Sequence, residues 1–320
     1  MIKCLYEMQQ CDVMKYAASK VDGGGDDWCS LKELGIAPVD CAGLFQFLSH
    51  VKNLLRISLS KNNIGCLEMS KFLCKNNEVI QCDLGNNNIN DEGVKHLCDA
   101  LKNENCKLTN LDLSNNKIHD EGAKHISDAL KNKNCKLTSL NISNNTINDE
   151  GAEHLSDALK NKTSKLTNLS LSCIRIYDKG ALHLTDALEN KNCKLTNFNI
   201  GFNVINDEVA ERLSDVLKHE NCNLTNLALS SSKITHEHLK QLSDALKNMN
   251  CKLTDLDLSG NKINDKSIKH LSDALQNKNC KLTNLQLSFN RINGKGTRHL
   301  SSALKSKNCK LLIWTLIAMR

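Results

Sequence analysis

Residues 108–136 read LTNLDLSNNKIHDEGAKHISDALKNKNCK, and this stretch decides the fold because it returns, altered but in step, along most of the chain. Its opening frame, L-x-x-L-x-L-x-x-N-x-I, starts at Leu108 and comes back at Leu137, Leu166, Leu195, Leu224, Leu253 and Leu282, each step being 29 residues with no insertion or deletion. Backward, the frame reaches Val79, with Cys82, Leu84, Asn87 and Ile89 in the key slots, and then Leu54, with Ile57, Leu59, Asn62 and Ile64. Forward, Leu311, Trp314 and Leu316 begin a last strand. Within one copy, Leu111, Asp112 and Leu113 alternate with the period of a short strand buried on one face. Residues 120–131 place Ala123, Ile126, Ala129 and Leu130 at the 3-4 spacing of one helix face. Asp120 and Glu121 at the start and Lys131 and Lys133 near the end suit the helix dipole. Asn132 and Asn134 are expected to stop the helix in the left-handed region.

A single copy is too short to bury a core of its own, so neighbours must share one and continue the strand ladder. Strands stack ~4.8 Å apart whereas packed helices need ~8–10 Å. The expected fold is therefore an α/β right-handed solenoid, a horseshoe with short parallel strands on the concave face and helices on the convex face. It should occupy residues 51–320 as about nine repeats of the 29-residue type plus a terminal half repeat, with residues 1–50 a short helical lead-in and Gly-rich linker.

Composition agrees. The chain of 320 residues is 40% hydrophobic but only 3% aromatic, with one proline, so Leu and Ile must carry the core. A net charge of +6 is too mild to point to nucleic acid. Residues 1–10 have no apolar h-region and no run reaches the ~18 apolar residues of a membrane span, so no membrane association is expected. The 16 cysteines form no C-x-x-C pair, and with no secretory signal they are expected as reduced thiols in a cytosolic protein. Asp22-Gly-Gly-Gly-Asp-Asp27 lacks the ligand order of a calcium loop and reads as a flexible linker. No G-x-x-x-x-G-K-[ST] is present and no Ser/His/Asp or Cys/His set stands apart from the repeats. No catalytic residue, cofactor or metal is expected.

Three ladders recur. Asn62, Asn87, Asn116, Asn145, Asn203, Asn261 and Asn290 follow the strands, where an amide can satisfy backbone groups; Ile174 and Ser232 break this ladder and should loosen those turns. Cys106, Cys135, Cys193, Cys222, Cys251, Cys280 and Cys309, with Ser164 in the missing position, sit two residues before the first strand leucine and read as small buried hydrophobes. His96, His125, His154, His183, His270 and His299, with Arg212 and Gln241 as substitutes, form a polar edge on the helices, most of them three residues before an Asp with which they are expected to pair.

The full unit, N-x-I-N-D-E-G-A-x-H-L-S-D-A-L-K-N-K-N-C-K-L-T-x-L from Asn145 and in its copies, resembles the ribonuclease-inhibitor class of leucine-rich repeats. That class occurs in ribonuclease inhibitor and in the C-terminal region of NACHT-LRR (NOD-like) receptors. Cys4-Leu-Tyr-Glu-Met-Gln9 is similar to the helix that follows a NACHT domain in those receptors. Ile36-Ala-Pro-Val-Asp-Cys41, with Leu44 and Leu48, is similar to the lead into their first repeat. The resemblance implies a protein-binding module of a cytoplasmic innate-immune receptor, used for ligand sensing or autoinhibition. Two alternatives remain open: an enzyme inhibitor of the ribonuclease-inhibitor kind, and a GTPase-activating repeat protein, for which Arg56 is the candidate residue. Against a tight inhibitor, the expected concave positions Ser58, Asp83, Asp112, Asn141, Ser170, Asn199, Ala228, Asp257 and Gln286 are small and polar rather than aromatic or Arg.

Charge places the expected partner surface. Residues 251–320 hold thirteen Lys and Arg against four Asp, a net +9, while the whole chain is +6. Lys262, Arg291 and Arg175 occupy the N-x-I slot, and Phe289 and Phe202 the slot before the ladder Asn. Cations beside an exposed aromatic suit an acidic protein partner. The apolar run at residues 311–319 is expected to make a self-associating C-terminal edge.

Overall fold

The computed structural model describes residues 28–76 and 78–316. The Cys4–Gln9 motif and the Asp22–Asp27 linker lie outside the described residues. The chain divides into two compact units, one of residues up to 146 with 163–166, the other of residues 147–162 with 167 onward.

The first unit holds strands β1 (Trp28–Ser30), β2 (Arg56–Ser58), β3 (Gln81–Asp83), β4 (Asn110–Asp112) and β5 (Ser139–Asn141) and helices α1 (Cys41–Leu48), α2 (Cys66–Lys75), α3 (Asp91–Leu101) and α4 (Asp120–Leu130). Its strands pair parallel in chain order, and the register matches equivalent slots: Cys29 opposite Ile57, Ile57 opposite Cys82, Cys82 opposite Leu111, Leu111 opposite Leu140. β1 lies ahead of residue 51, so the ladder starts one strand before the first L-x-x-L-x-L frame. The second unit holds α5 (Asp149–Lys160), then β6 (Asn168–Ser170), β7 (Asn197–Asn199), β8 (Asn226–Ala228), β9 (Asp255–Asp257), β10 (Asn284–Gln286) and β11 (Ile313–Thr315). Between these strands run α6 (Asp178–Ala187), α7 (Asp207–Leu217), α8 (His236–Leu246), α9 (Asp265–Leu275) and α10 (Gly294–Leu304). Leu169, Phe198, Leu227, Leu256, Leu285 and Trp314 share one register column. Each unit is a leucine-rich-repeat solenoid in which every repeat contributes one strand and one helix.

The frame leucines are the core. Leu108, Leu111, Leu113 and Ile118 are at most 4% exposed, as are Leu253, Leu256, Leu258 and Ile263 in the second unit. Cys82 fills its leucine slot at 1% exposure. Six ladder cysteines (106, 135, 193, 222, 251, 280) are buried with Ser164, while Cys309 is half-buried. Burial raises these six thiols above their ordinary pKa, because a thiolate would lose its water there.

The asparagine ladder does what its chemistry allows. Nδ2 of Asn116 donates to the carbonyls of Leu113 (2.9 Å) and Ser114 (3.1 Å) in its own turn and of Leu84 (3.0 Å) in the turn before. Its Oδ1 accepts from the N–H groups of Asn87 and Ile89. Asn62, Asn261 and Asn290 repeat this pattern within their units. At Ser232 the absent amide is replaced by backbone: the Ile205 N–H donates to the Ser232 carbonyl at 3.2 Å. After Ile174 the repair fails. Ile174 is itself buried, and the next ladder residue, Asn203, donates from Nδ2 as usual while its Oδ1 has no partner among the described residues. A void of about 10 Å³ between Ile176, Leu184, Ile200 and Ile205 adjoins it.

Two expectations about the helices need correction. Asn132 and Asn134 are not left-handed; the positive-φ residues lie elsewhere. Asn132 Oδ1 instead accepts from the Asn134 N–H (2.9 Å), and Asn134 Nδ2 donates to the Lys102 carbonyl (2.9 Å) at the end of the previous helix. Asn192, Asn250, Asn279 and Asn308 do the same. Among the described residues, His96 and His125 do not pair with Asp three residues on. Those carboxylates take Lys three residues further, as in Lys102–Asp99 and Lys131–Asp128, and His96 and His125 lie 3.8 Å from Glu92 and Glu121 one turn earlier. A flexible lysine reaches the carboxylate in water more easily than a half-buried imidazole.

Candidate functional site

The strand face is largely committed to itself. Oδ1 of Asp83, Asp112, Asn141, Asn199 and Asp257 accepts the N–H two residues on, closing each strand into its turn. Second oxygens are used across strands: Ser58 Oγ donates to Asp83 Oδ2 (2.7 Å) and Asn141 Nδ2 to Asp112 Oδ2 (2.9 Å). Thr109, Thr196, Thr225, Thr254 and Thr283 donate to a carbonyl one repeat back. Of the side chains expected as contact positions, Asp83, Asp112, Asn141, Asn199 and Asp257 are thus half-buried turn caps, Ser170 and Ala228 are half-buried, Ser58 is buried and Gln286 is exposed. A cleft of about 240 Å³ in the first unit, over Gln81, Asp83, Asn110 and Asp112, is lined by these same groups. Arg56 is exposed on strand β2, not on a loop.

Uncommitted chemistry lies instead in the turns after the strands. All five residues singled out from sequence, Arg175, Phe202, Lys262, Phe289 and Arg291, are exposed and belong to the second unit. Lys233 and Val204 share the slot of Arg175, Lys262 and Arg291, so four of five successive repeats present a cation there. Among the described residues no carboxylate forms an ion pair with any of the four, whereas Lys218 and Lys247 on the helices are paired, as is Arg212, whose Nη2 lies 2.6 Å from Glu189.

The neighbouring slot has a conformational demand that the sequence did not disclose. Lys61, Asn86, Asn115, Asn144, Cys173, Phe202, Ser231, Gly260 and Phe289 occupy it, and all have φ between 52° and 68°. Left-handed backbone suits Gly and Asn, but for a residue with a bulky Cβ substituent it costs on the order of 1–2 kcal/mol. Phe202 and Phe289 bear that cost while being 57% and 48% exposed. Tyr177 (62%) in the preceding repeat and Val204 (41%), two residues on from Phe202, are also exposed.

Comparison with known proteins follows the repeats. A family model described as Leucine Rich repeat matches residues 83–98, 104–127, 133–156, 191–214, 250–272 and 278–300. Human NACHT, LRR and PYD domains-containing protein 14 is 43% identical over 49 residues, 15% of this chain and 4% of that protein. Bovine NACHT, LRR and PYD domains-containing protein 9 is 32% identical over 81 residues, 25% of this chain and 8% of that protein. The matched stretches are thus a small part of those relatives' length. Among solved structures, an internalin from Listeria monocytogenes aligns over 95% of this chain and 93% of its own, with 18% identity and a TM-score of 0.46. The TLR13–ssRNA13 complex aligns over 83% and 36%, with 20% identity and a TM-score of 0.46. No helix among the described residues is long and apolar enough to cross a membrane. The repeat model, the strand-and-helix repeat fold and the sequence likeness together make the chain a leucine-rich-repeat protein whose repeats resemble those of NACHT-LRR proteins.

Proposed function

We propose that the chain is the ligand-sensing or autoinhibitory module of a cytoplasmic NOD-like receptor, and that it binds an acidic protein through Arg175, Phe202, Lys262, Phe289 and Arg291. One observation carries the binding reading: four unpaired cations and two exposed rings share adjoining turn slots of the second unit, where the strand face is already hydrogen-bonded to itself. Exposed aromatics with Arg anchor interfaces, and unpaired cations select an acidic partner. Receptor membership is supported by the repeat-level likeness to NACHT-LRR proteins. Its test is the transcript upstream of the codon for Met1: an in-frame NACHT nucleotide-binding domain is expected, and transcripts that all lack one overturn membership. Self-association through β11 is part of the same proposal, since Leu312, Ile313 and Trp314 are exposed there. Sedimentation should show mass rising with concentration, and a strictly monomeric chain removes that element.

A further inference from the structure

We infer that the second unit carries a trough for an extended acidic polypeptide segment with two apolar side chains about four positions apart, held at its ends by Phe202 and Phe289 and along one edge by Lys233, Lys262 and Arg291. This deepens the protein-binding proposal above and rests on it. Between the two rings the same slot holds only Ser231 and Gly260, and the slot before it holds Gly201, Ser230, Ser259 and Ser288, so the stretch is floored by small residues. Three strand steps at ~4.8 Å separate the rings by about 14 Å, the length of roughly four residues of extended chain at ~3.4 Å each. An extended segment running along the ladder would set one apolar side chain against each ring and its intervening carboxylates beside the cations. The cations have no ion pair within the described residues, and residues 274–320 hold no Asp or Glu. Three repeats place Asn in this slot, Asn86, Asn115 and Asn144, which is what left-handed backbone favours. Phenylalanine in its stead holds a strained backbone while 57% (Phe202) and 48% (Phe289) exposed, the pattern of a residue kept for a partner.

The test uses the full chain and fluorescein-labelled peptides read by anisotropy at low salt. The first is Glu-Leu-Glu-Glu-Glu-Leu-Glu; one control replaces both leucines by serine, another sets them side by side. The spaced peptide should bind roughly tenfold tighter than either control. The double variant Phe202→Asn/Phe289→Asn should lose that advantage while its denaturant midpoint stays level or rises. Lys262→Glu/Arg291→Glu should weaken all three peptides alike. Equal affinity of the three peptides for the unmodified chain would overturn the two-ring trough and leave the acidic-partner proposal standing. A lowered midpoint in the asparagine variant would show that the rings support the fold, and would also overturn it. Failure of every acidic peptide to bind, or stronger binding of oligo(dT) lost in the Lys262→Glu/Arg291→Glu variant, would sink both readings.

Discussion

Asn116 shows how one side chain joins two turns: its amide serves five backbone groups, two in its own repeat and three in the one before. A residue that lacks the amide must leave those groups to find other partners, and Ser232 does so only in part. Ser232 Oγ donates to the Ser230 carbonyl (3.3 Å), and the Ile205 N–H turns to the Ser232 carbonyl (3.2 Å). Ser232→Asn should restore the missing bonds and stabilise by ~0.5–1.5 kcal/mol, the net worth of one such interaction. Its denaturant midpoint should therefore rise; a value at or below the parent's counts against the role given to the ladder. The cysteine ladder invites a different measurement. Thiolate is the species that reacts, and burial disfavours it at Cys106, Cys135, Cys193, Cys222, Cys251 and Cys280. Among the described cysteines, exposed Cys173 should take up a thiol reagent first in the native protein, with those six reacting only once denaturant is added. Fast native labelling of most of the six would sink the buried-core assignment.

Helix starts show two capping solutions, and they account for a glycine that periodicity leaves unexplained. In α3, α7, α8 and α9 the residue before the helix caps it directly, Asn90, Asn206, Thr235 and Asn264 accepting from the N–H three residues on. In α4 that residue is His119, and the cap comes from the previous repeat: Asp91 Oδ1 accepts from the N–H groups of His119 (2.7 Å) and Gly122 (3.1 Å). A Cβ on Gly122 would lie 2.5 Å from that oxygen, and one on Gly180 2.6 Å from Asp149 Oδ1, so glycine is required where the carboxylate packs in. Where the cap is local, the same position tolerates Val209, His238 or Ser267. Asp91→Ala should thus cost ~0.5–2 kcal/mol, a full cap, although Asp91 is a partly exposed residue on the neighbouring helix. Chemical denaturation would show it, and a loss no greater than that of an exposed helix residue such as Lys95→Ala would refute it. This explains what was legible. Strands, core leucines and helix faces follow from an unbroken 29-residue period and could be read directly. Asn134 departs from the local rule for helix ends because its partner carbonyl lies 32 residues back. Strand β1 escaped because, in the register that sets Cys29 opposite Ile57, Asp26 and Cys29 stand in the first two leucine slots of the frame and Leu34 in its asparagine slot, so that only Leu31 and Ile36 match it. The five site residues were found by type and slot, but the left-handed backbone under Phe202 and Phe289 was not, since a column with Asn in three repeats does not by itself fix the sign of φ.

Across the whole sequence the charges are sorted rather than mixed, and some of them are already in use. Residues 251–320 are net +9 in a chain of net +6, so residues 1–250 sum to −3. Not every cation in the basic portion serves a partner. Lys252, Lys281 and Lys310 donate to the carbonyls of Glu220, Met249 and Lys278, closing the loops between helix and strand as Lys136 does with Glu104. Lys233, Lys262 and Arg291 have no such engagement among the described residues and stand in the turn slots beside the strands. Their field at the surface would draw an acidic partner from a distance set by the Debye length, ~8–10 Å at ordinary ionic strength. Attraction of that kind acts on the encounter, whereas ring contacts formed after docking act on escape. The two contributions are therefore separable by kinetics. For the spaced acidic peptide, raising salt should lower the association rate several-fold with little change in dissociation, and Lys262→Glu/Arg291→Glu should reproduce that loss at low salt. Phe202→Asn/Phe289→Asn should do the opposite, leaving association nearly intact and speeding dissociation. Stopped-flow measurements over a salt series decide it: an association rate indifferent to salt would move the binding surface away from these cations, whatever the affinity.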